Sequence, residues 1–400
     1  MPNGISNNEE MMKKDWIIKK LGEVVKVERG SSPRPIEKYL TTESNGVNWV
    51  KIGDTKNVDK VILSTKEKIT PEGAEKSRFV QKGDFILSNS MSLGKPYIMG
   101  IDGYIHDGWF VLRLPETIDS DYFFYHLSSD FVQNQFSGLA AGAIVKNISS
   151  DLVKKANLII PPLEEQKRIV AVLDKKFAQI EKLKTAAEKN LQNTKQLFQA
   201  ELEKAFSNTS WEKKTIQEIC TLKSGNSSTN NSKPGTLPYV KVGDMTIVGN
   251  EKSITTSTTF VDYESNKKQV FPIGSVIFPK RGGAILTNKK RITSVEICCD
   301  LNIMGVIPGE KICPNFLYYY FIGIDFSKLC NGAAIPQINN IDINPLEINL
   351  PPLEEQKRIV AHLDSLSEKV HQLEEIYTKQ LADCDELKQS LLQKAFEGEL

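Results

Sequence analysis

Two periods organise the apolar positions of this chain. Short or alternating apolar runs bounded by Gly and Pro ("NWVKIGD", "GDFILS", "GWFVLRLP", "NLIIPP") predict strands before residue 162. Between them, "DSDYFFYHLSSDFVQNQF" carries the three-and-four spacing of a helix. After Pro162 the pattern changes, and the 44 residues to Phe206 contain neither Gly nor Pro. Val170, Leu173, Phe177, Ile180, Ala187, Leu191 and Phe198 recur there at a/d spacing, which predicts one long amphipathic helix. At about 1.5 Å per residue it is roughly 65 Å long, more than a small domain can cover. Its apolar stripe needs a second helix.

The chain supplies that helix by repeating itself. "PPLEEQKRIVAVLD" at Pro161–Asp174 returns at Pro351–Asp364 as "PPLEEQKRIVAHLD", with 13 of 14 positions identical and an offset of 190. Val360, Leu363, Val370, Tyr377, Leu381, Leu391 and Ala395 form the second stripe, and both copies end in "KAF", at Phe206 and Phe396. "WVKIGDT" at Trp49–Thr55 meets "YVKVGDM" at Tyr239–Met245, and "GAIVKNI" at Gly142–Ile148 meets "GAAIPQI" at Gly332–Ile338. Each half begins close to a tryptophan, Trp16 or Trp211. Residues 161–206 carry nine basic and seven acidic side chains and residues 351–396 six and nine, so opposite net charges favour pairing of the two helices with each other.

The expected fold is therefore α/β (α+β): two pseudo-repeated globular domains and two long antiparallel helices forming a coiled coil with pseudo-twofold symmetry. The boundaries are 1–160 for the first domain, with 1–14 a flexible tail, 161–208 for the central helix, 209–350 for the second domain and 351–400 for the C-terminal helix.

At the repeated motif, Pro161-Pro162 closes the preceding strand and suits a helix start, and Glu164 and Glu165 complement the helix dipole. Glu164 and Arg168 are spaced for an i,i+4 ion pair. A well-built helix start explains residue types but not identity, since Gln166 and Lys167 could be other polar residues. The alternative is a surface kept twice for one partner. It places partner contacts at Leu163, Glu164, Gln166 and Lys167, and at Leu353, Glu354, Gln356 and Lys357.

Composition narrows the chemistry. With 400 residues, 40% hydrophobic, 25% charged and a net charge of +1, the chain is a folded protein of more than one domain rather than a non-specific polyanion binder. No apolar run is long enough for a membrane span and the N-terminus lacks the apolar core of a signal peptide, so the cytoplasm is expected. All six cysteines fall in the second half without C-x-x-C spacing, and the four histidines form no H-E-x-x-H, so no metal is expected. Neither a phosphate-binding G-x-x-x-x-G-K-[ST] loop nor an Asp/Asn-Pro-Pro-aromatic methyltransferase motif is present. Catalysis by this chain is not expected.

The loops between the repeated anchors differ, and there the binding chemistry is expected. "PKRGGAILTNKKR" at Pro279–Arg291 holds five basic residues and no acid. Lys280, Arg281 and Lys289 suit phosphate or guanine and Asn288 suits adenine. The corresponding stretch of the first half is polar: Asn89, Ser90, Ser92 and Lys95. "GSSPRP", with Ser31, Ser32 and Arg34, matches a loop carrying Asn226, Ser228 and Lys233, and Lys146 with Asn147 matches Gln337 with Asn339. Each is by itself also compatible with an ordinary polar loop.

Together these features resemble the specificity subunit of type I restriction-modification systems, across essentially the whole chain. The resemblance rests on the doubled "PPLEEQKRIVA-LD", the doubled "VK-GD" strand, the paired helices and the ending "LLQKAFEGEL". It implies two target recognition domains, each reading one half of a split, asymmetric sequence in double-stranded DNA, with the coiled coil as spacer ruler. It implies two adenine-N6 methyltransferase (modification) subunits as partners at the repeated helix starts, and restriction/translocase subunits beyond them. S-adenosylmethionine, ATP and Mg would be used by those partners, with no cofactor bound by this chain. A coiled-coil scaffold without DNA recognition is the alternative.

Overall fold

The computed structural model describes residues 15–89, 93–140, 148–227, 235–330 and 335–400. The chain divides into two compact units: residues 1–187 with 379–400, and residues 188–378.

Each unit is built on a sheet buried on both faces. In the first, five strands run in the order Lys26–Arg29, Trp109–Arg113, Phe85–Ser88, Pro96–Met99, Val61–Ile62. Phe85 and Leu87 point with Phe110 and Leu112 into a core closed by Phe123, Leu127 and Phe136 from two helices. Ile86, Trp109 and Val111 point the other way, onto Val50 and Ile105 of a second sheet. Two apolar faces explain why "FILS" and "WFVLR" are near-continuous apolar runs rather than alternating ones. The second sheet runs Leu40–Thr41, Glu67–Ile69, Val47–Val50, Gly103–Ile105, Arg78–Val80.

The other unit repeats the plan. Its five-stranded sheet runs Cys220–Ser224, Ile303–Pro308, Val276–Pro279, Arg291–Thr293, Ser253–Ile254. Val276 and Phe278 face Phe316, Leu317 and Phe321 of a helix, while Ile277 faces Val240 and Cys299. The accompanying sheet has three strands, Phe260–Val261, Leu237–Val240 and Cys298–Cys299.

The stretch expected to form one helix after Asp119 forms two, Ser120–Leu127 and Asp130–Ala140. Ser129 breaks it: the buried hydroxyl donates to the His126 carbonyl, while the Ser129 carbonyl accepts the Gln133 N–H that starts the next helix.

The long helices run Leu163–Phe206 and Leu353–Glu397. Within the first unit, Arg168 donates to the Leu400 carbonyl and Lys184 pairs with Asp385, so the two segments run antiparallel. Ile169, Leu173, Leu392, Ala395 and Phe396 are buried there with Trp16 and Tyr122. Within the second unit, Leu202 packs with Ile359 and Leu363, and Phe206 meets Phe316 at 4.8 Å between ring centroids. Among the described residues, no helix is long and apolar enough to cross a membrane and no group of three His, Cys, Asp or Glu side chains could hold a metal ion.

Candidate nucleic-acid interface

Four stretches distant in sequence meet at one end of each domain's sheets. In the first, Gly30 N donates to Trp109 O, Ser31 N to Ile105 O, Asn89 N to Gly108 O and Ile148 N to Asn89 O. In the second, Gly225 N donates to Ile303 O, Asn226 N to Cys299 O, Lys280 N to Asn302 O and Ile338 N to Lys280 O. The two bonding sets correspond one for one. A Cβ on Gly30 would lie 2.0 Å from the His106 carbonyl oxygen, and one on Gly225 would lie 2.0 Å from that of Asp300, so both crossings require glycine. The backbone platform is the same, and Asn89 in one domain stands where Lys280 stands in the other.

Asp107 is the polar hub of the first platform. Its carboxylate accepts from Ser32 Oγ at 2.8 Å and Arg34 Nη2 at 3.1 Å, and its carbonyl accepts from Asn89 Nδ2 at 2.6 Å and Arg29 Nε at 3.3 Å. Burial raises the Asp107 pKa, but the Ser32 hydroxyl, its own backbone N–H, His106 and Arg34 outweigh that and hold it below the usual carboxylate range. Arg34 and Ser32 line an open cleft of 840 Å³ with Trp49, Lys51 and His106.

The candidates taken from the sequence divide into inward-facing and available side chains. Asn89 is 3% exposed and bonded to Asp107, so it holds the platform together and cannot reach a base. Asn288 also differs from the adenine-reading role expected from the sequence: at φ 52° its Oδ1 accepts from Lys290 Nζ and the Phe326 N–H, a backbone-fixing role that occupies the group meant for adenine. Of the five basic residues in that loop, Lys290 is 1% exposed and donates to the Ile324 carbonyl, and burial pushes its ammonium down to about 7. Arg291 is spent on the Met245 and Lys290 carbonyls. The loop is therefore a short helical turn, Gly282–Thr287, with two of its cations turned inward.

Lys280 reaches Ser224 Oγ at 2.9 Å, and desolvation, then Arg281, lowers its pKa. Arg281 is exposed and its backbone bridges to Gln337, whose side chain donates to Asn339 Oδ1. Lys289 is half-buried. Ser31 Oγ is bonded to the Lys76 carbonyl, the Asn226 carbonyl accepts from the Tyr239 hydroxyl, and Lys95 is exposed with its ammonium 5.2 Å from the Tyr97 ring. Ser90, Ser92, Lys146, Asn147, Ser228 and Lys233 lie outside the described residues. Sequence reasoning missed Asp107; the signal available was an acid in the tight turn "IHDGW".

The repeated helix start also resolves into two groups. Gln166 has no exposed surface: its Oε1 accepts the Asp119 N–H at 2.8 Å and its Nε2 donates to the Pro161 carbonyl at 2.9 Å. Gln356 does the same with the Cys313 N–H at 2.7 Å and the Pro351 carbonyl at 2.8 Å. These glutamines tie each long helix to the start of the domain helix beside it, Ser120–Leu127 or Pro314–Ile322, so neither meets a partner as expected from the sequence. The motif's terminal aspartates act alike, Asp174 accepting from Tyr125 and Asp364 from Tyr319. Arg168 pairs with Glu165, not Glu164, whose carboxylate is paired with Lys167; Arg358 pairs with Glu355 in the same way, while Glu354 pairs with Lys357. Glu164 with Lys167, and Glu354 with Lys357, remain exposed on the surface, with Leu353 exposed and Leu163 half-buried beside them.

The family model described as the type I restriction modification DNA specificity domain matches twice, over residues 13–191 and 208–381. The chain is similar to the type I restriction enzyme StySPI specificity subunit of Salmonella potsdam, 28% identical over 72% of this chain and 67% of that one. It is also similar to the EcoKI specificity subunit of Escherichia coli K12, 24% identical over 86% and 78%. Among solved structures, a chain from work on complex assembly and conformational transition of the type I R-M system aligns with a TM-score of 0.79 at 24% identity, covering 97% of this chain and 99% of that one. The HsdS subunit of Thermoanaerobacter tengcongensis aligns with a TM-score of 0.56, also at 24% identity, over 97% and 98%.

Proposed function

This chain belongs to the type I restriction modification DNA specificity family, and from that premise we propose that its two domains read the two halves of a split, asymmetric DNA sequence. The observation that carries the asymmetry is the shared platform with unlike side chains: a buried Asn89 bonded to the Asp107 carbonyl in one domain, a half-buried cationic Lys280 bonded to Ser224 Oγ in the other. One scaffold presents two different chemical faces, so the half-sites differ.

The chain is the specificity component, and methylation of adenine N6 and ATP-dependent cleavage belong to partner subunits that use S-adenosylmethionine, ATP and Mg. Two modification subunits dock at the repeated exposed pairs, Glu164 with Lys167 and Glu354 with Lys357, each beside Leu163 or Leu353. The helices set the spacer between half-sites, and the complex works in the cytoplasm on double-stranded DNA.

Expressing the chain with its modification subunit and mapping adenine methylation across a host genome by single-molecule sequencing tests this reading. The expected result is a split motif that disappears when this chain is omitted. An active modification subunit that leaves no motif dependent on this chain would sink it.

A further inference from the structure

Arg34 is an exposed cation of the first platform. Pro33 and Pro35 flank it, and proline fixes its own φ and restricts the residue before it, so the Arg34 backbone has little freedom. Its side chain is 79% exposed and, among the described residues, is bonded to the Asp107 carboxylate alone, through Nη2. Asp107 in turn is anchored by Ser32, Asn89 and Arg29. An exposed ion pair adds little to stability, on the order of 0–1 kcal/mol, so stability does not account for this arrangement.

The charge balance decides what such a fork can recognise. A guanidinium already paired with a carboxylate is close to neutral as a unit and has little to offer a phosphate, whose binding depends on net positive charge and released counterions. Pairing through Nη2 leaves Nη1 and Nε of Arg34 without a bond among the described residues. Two parallel donors on a rigid plane match the O6 and N7 acceptors of guanine in the major groove. Resting on the recognition role proposed above, we propose that Arg34 reads a guanine in the half-site of the first domain, with Asp107 as the positioning residue that orients it.

The second domain has a different solution at the same place. There Asp300 stands where His106 stands, and its carboxylate accepts from the backbone and side chain of Asn302. The first domain's reader is thus a local device on a shared platform.

The test uses the complex with its modification subunits, comparing wild type with Arg34→Ala, Arg34→Lys and Asp107→Asn by methylation mapping. Both Arg34 variants are expected to lose preference at one G·C pair of one half-site, on the order of ten- to a hundredfold, while every other position and the other half-site stay required. Lysine keeps the charge but not the fork, so its failure to rescue separates base reading from charge. Asp107→Asn is expected to relax the same pair partially; an effect at a different position overturns the positioning role. A motif unchanged in Arg34→Ala, whether methylation is weaker throughout with a shallower salt dependence or not altered at all, overturns the guanine assignment alone. A wild-type complex that directs no split motif overturns the recognition role and this assignment together.

Discussion

Gln356 accepts the backbone N–H of Cys313 at 2.7 Å from a side chain with no exposed surface. Truncation to Ala leaves that N–H and the Lys311 and Pro351 carbonyls without their partner. The expected loss is about 1–3 kcal/mol, read by urea unfolding of the full chain, and Gln166→Ala should match it. Lys357→Ala, on the exposed side of the same turn, should shift the midpoint little; a loss equal to that of Gln356→Ala would contradict the division of this motif into inner and outer residues.

Phe396 places its ring 4.4 Å from His126 and 5.5 Å from Tyr122, centroid to centroid, and is 2% exposed. Phe396→Ala should cost about 3–5 kcal/mol. Limited proteolysis of the variant should open residues of the unit containing 379–400 before those of the other, and uniform opening would argue against two separately packed units.

His126 is buried and neutral. The Ile159 N–H donates to its Nε2 at 2.9 Å, and its Nδ1 has no partner among the described residues. Burial pushes its pKa down to about 3 from the ordinary 6.5. Between those values the unfolded chain binds the proton and the folded chain does not, so stability rises with pH through this window and is lost on acidification. The slope from this group approaches about 1.4 kcal/mol per pH unit. Comparing urea midpoints of wild type and His126→Gln at pH 7, 6 and 5, the wild type should fall more steeply; parallel profiles would remove His126 as the cause.

Lys280 and Arg281 should act on recognition, and Asn288 on stability. Lys280→Ala with Arg281→Ala is expected to weaken binding or relax one half-site alone while leaving the thermal midpoint nearly unchanged. Asn288→Ala should lower stability by about 1–3 kcal/mol, since the Phe326 N–H loses its acceptor, without altering the methylated motif. A changed motif in Asn288→Ala would return that residue to the reading surface.

The duplication, the long helices and the buried strands were legible because each is written in local spacing. A period of 2, a period near 3.5 and a repeat offset can be read without knowing what lies opposite. The helix bounds at Leu163 and Phe206 follow from a proline pair and an uninterrupted apolar stripe. The break at Ser129 was less legible, because serine ends a helix only when its hydroxyl finds a carbonyl to bond.

The site was legible as a set of loops, but not residue by residue. Asn89, Asn288, Gln166 and Gln356 have the side chains of readers and dockers, yet each is consumed by backbone groups. An amide that serves the fold and one that serves a ligand are chemically the same residue. Asp119 lies 47 positions from Gln166 and Asp107 lies 73 from Arg34, separations at which no local pattern carries information.

By itself, then, the sequence determined the twofold plan, the helices and the family, since periodicity and repetition are properties of the chain alone. Tertiary structure alone decided which polar side chains face inward and which stay free. Burying an unpaired polar group costs free energy, so each one is assigned by whichever distant backbone group the fold brings within hydrogen-bonding reach.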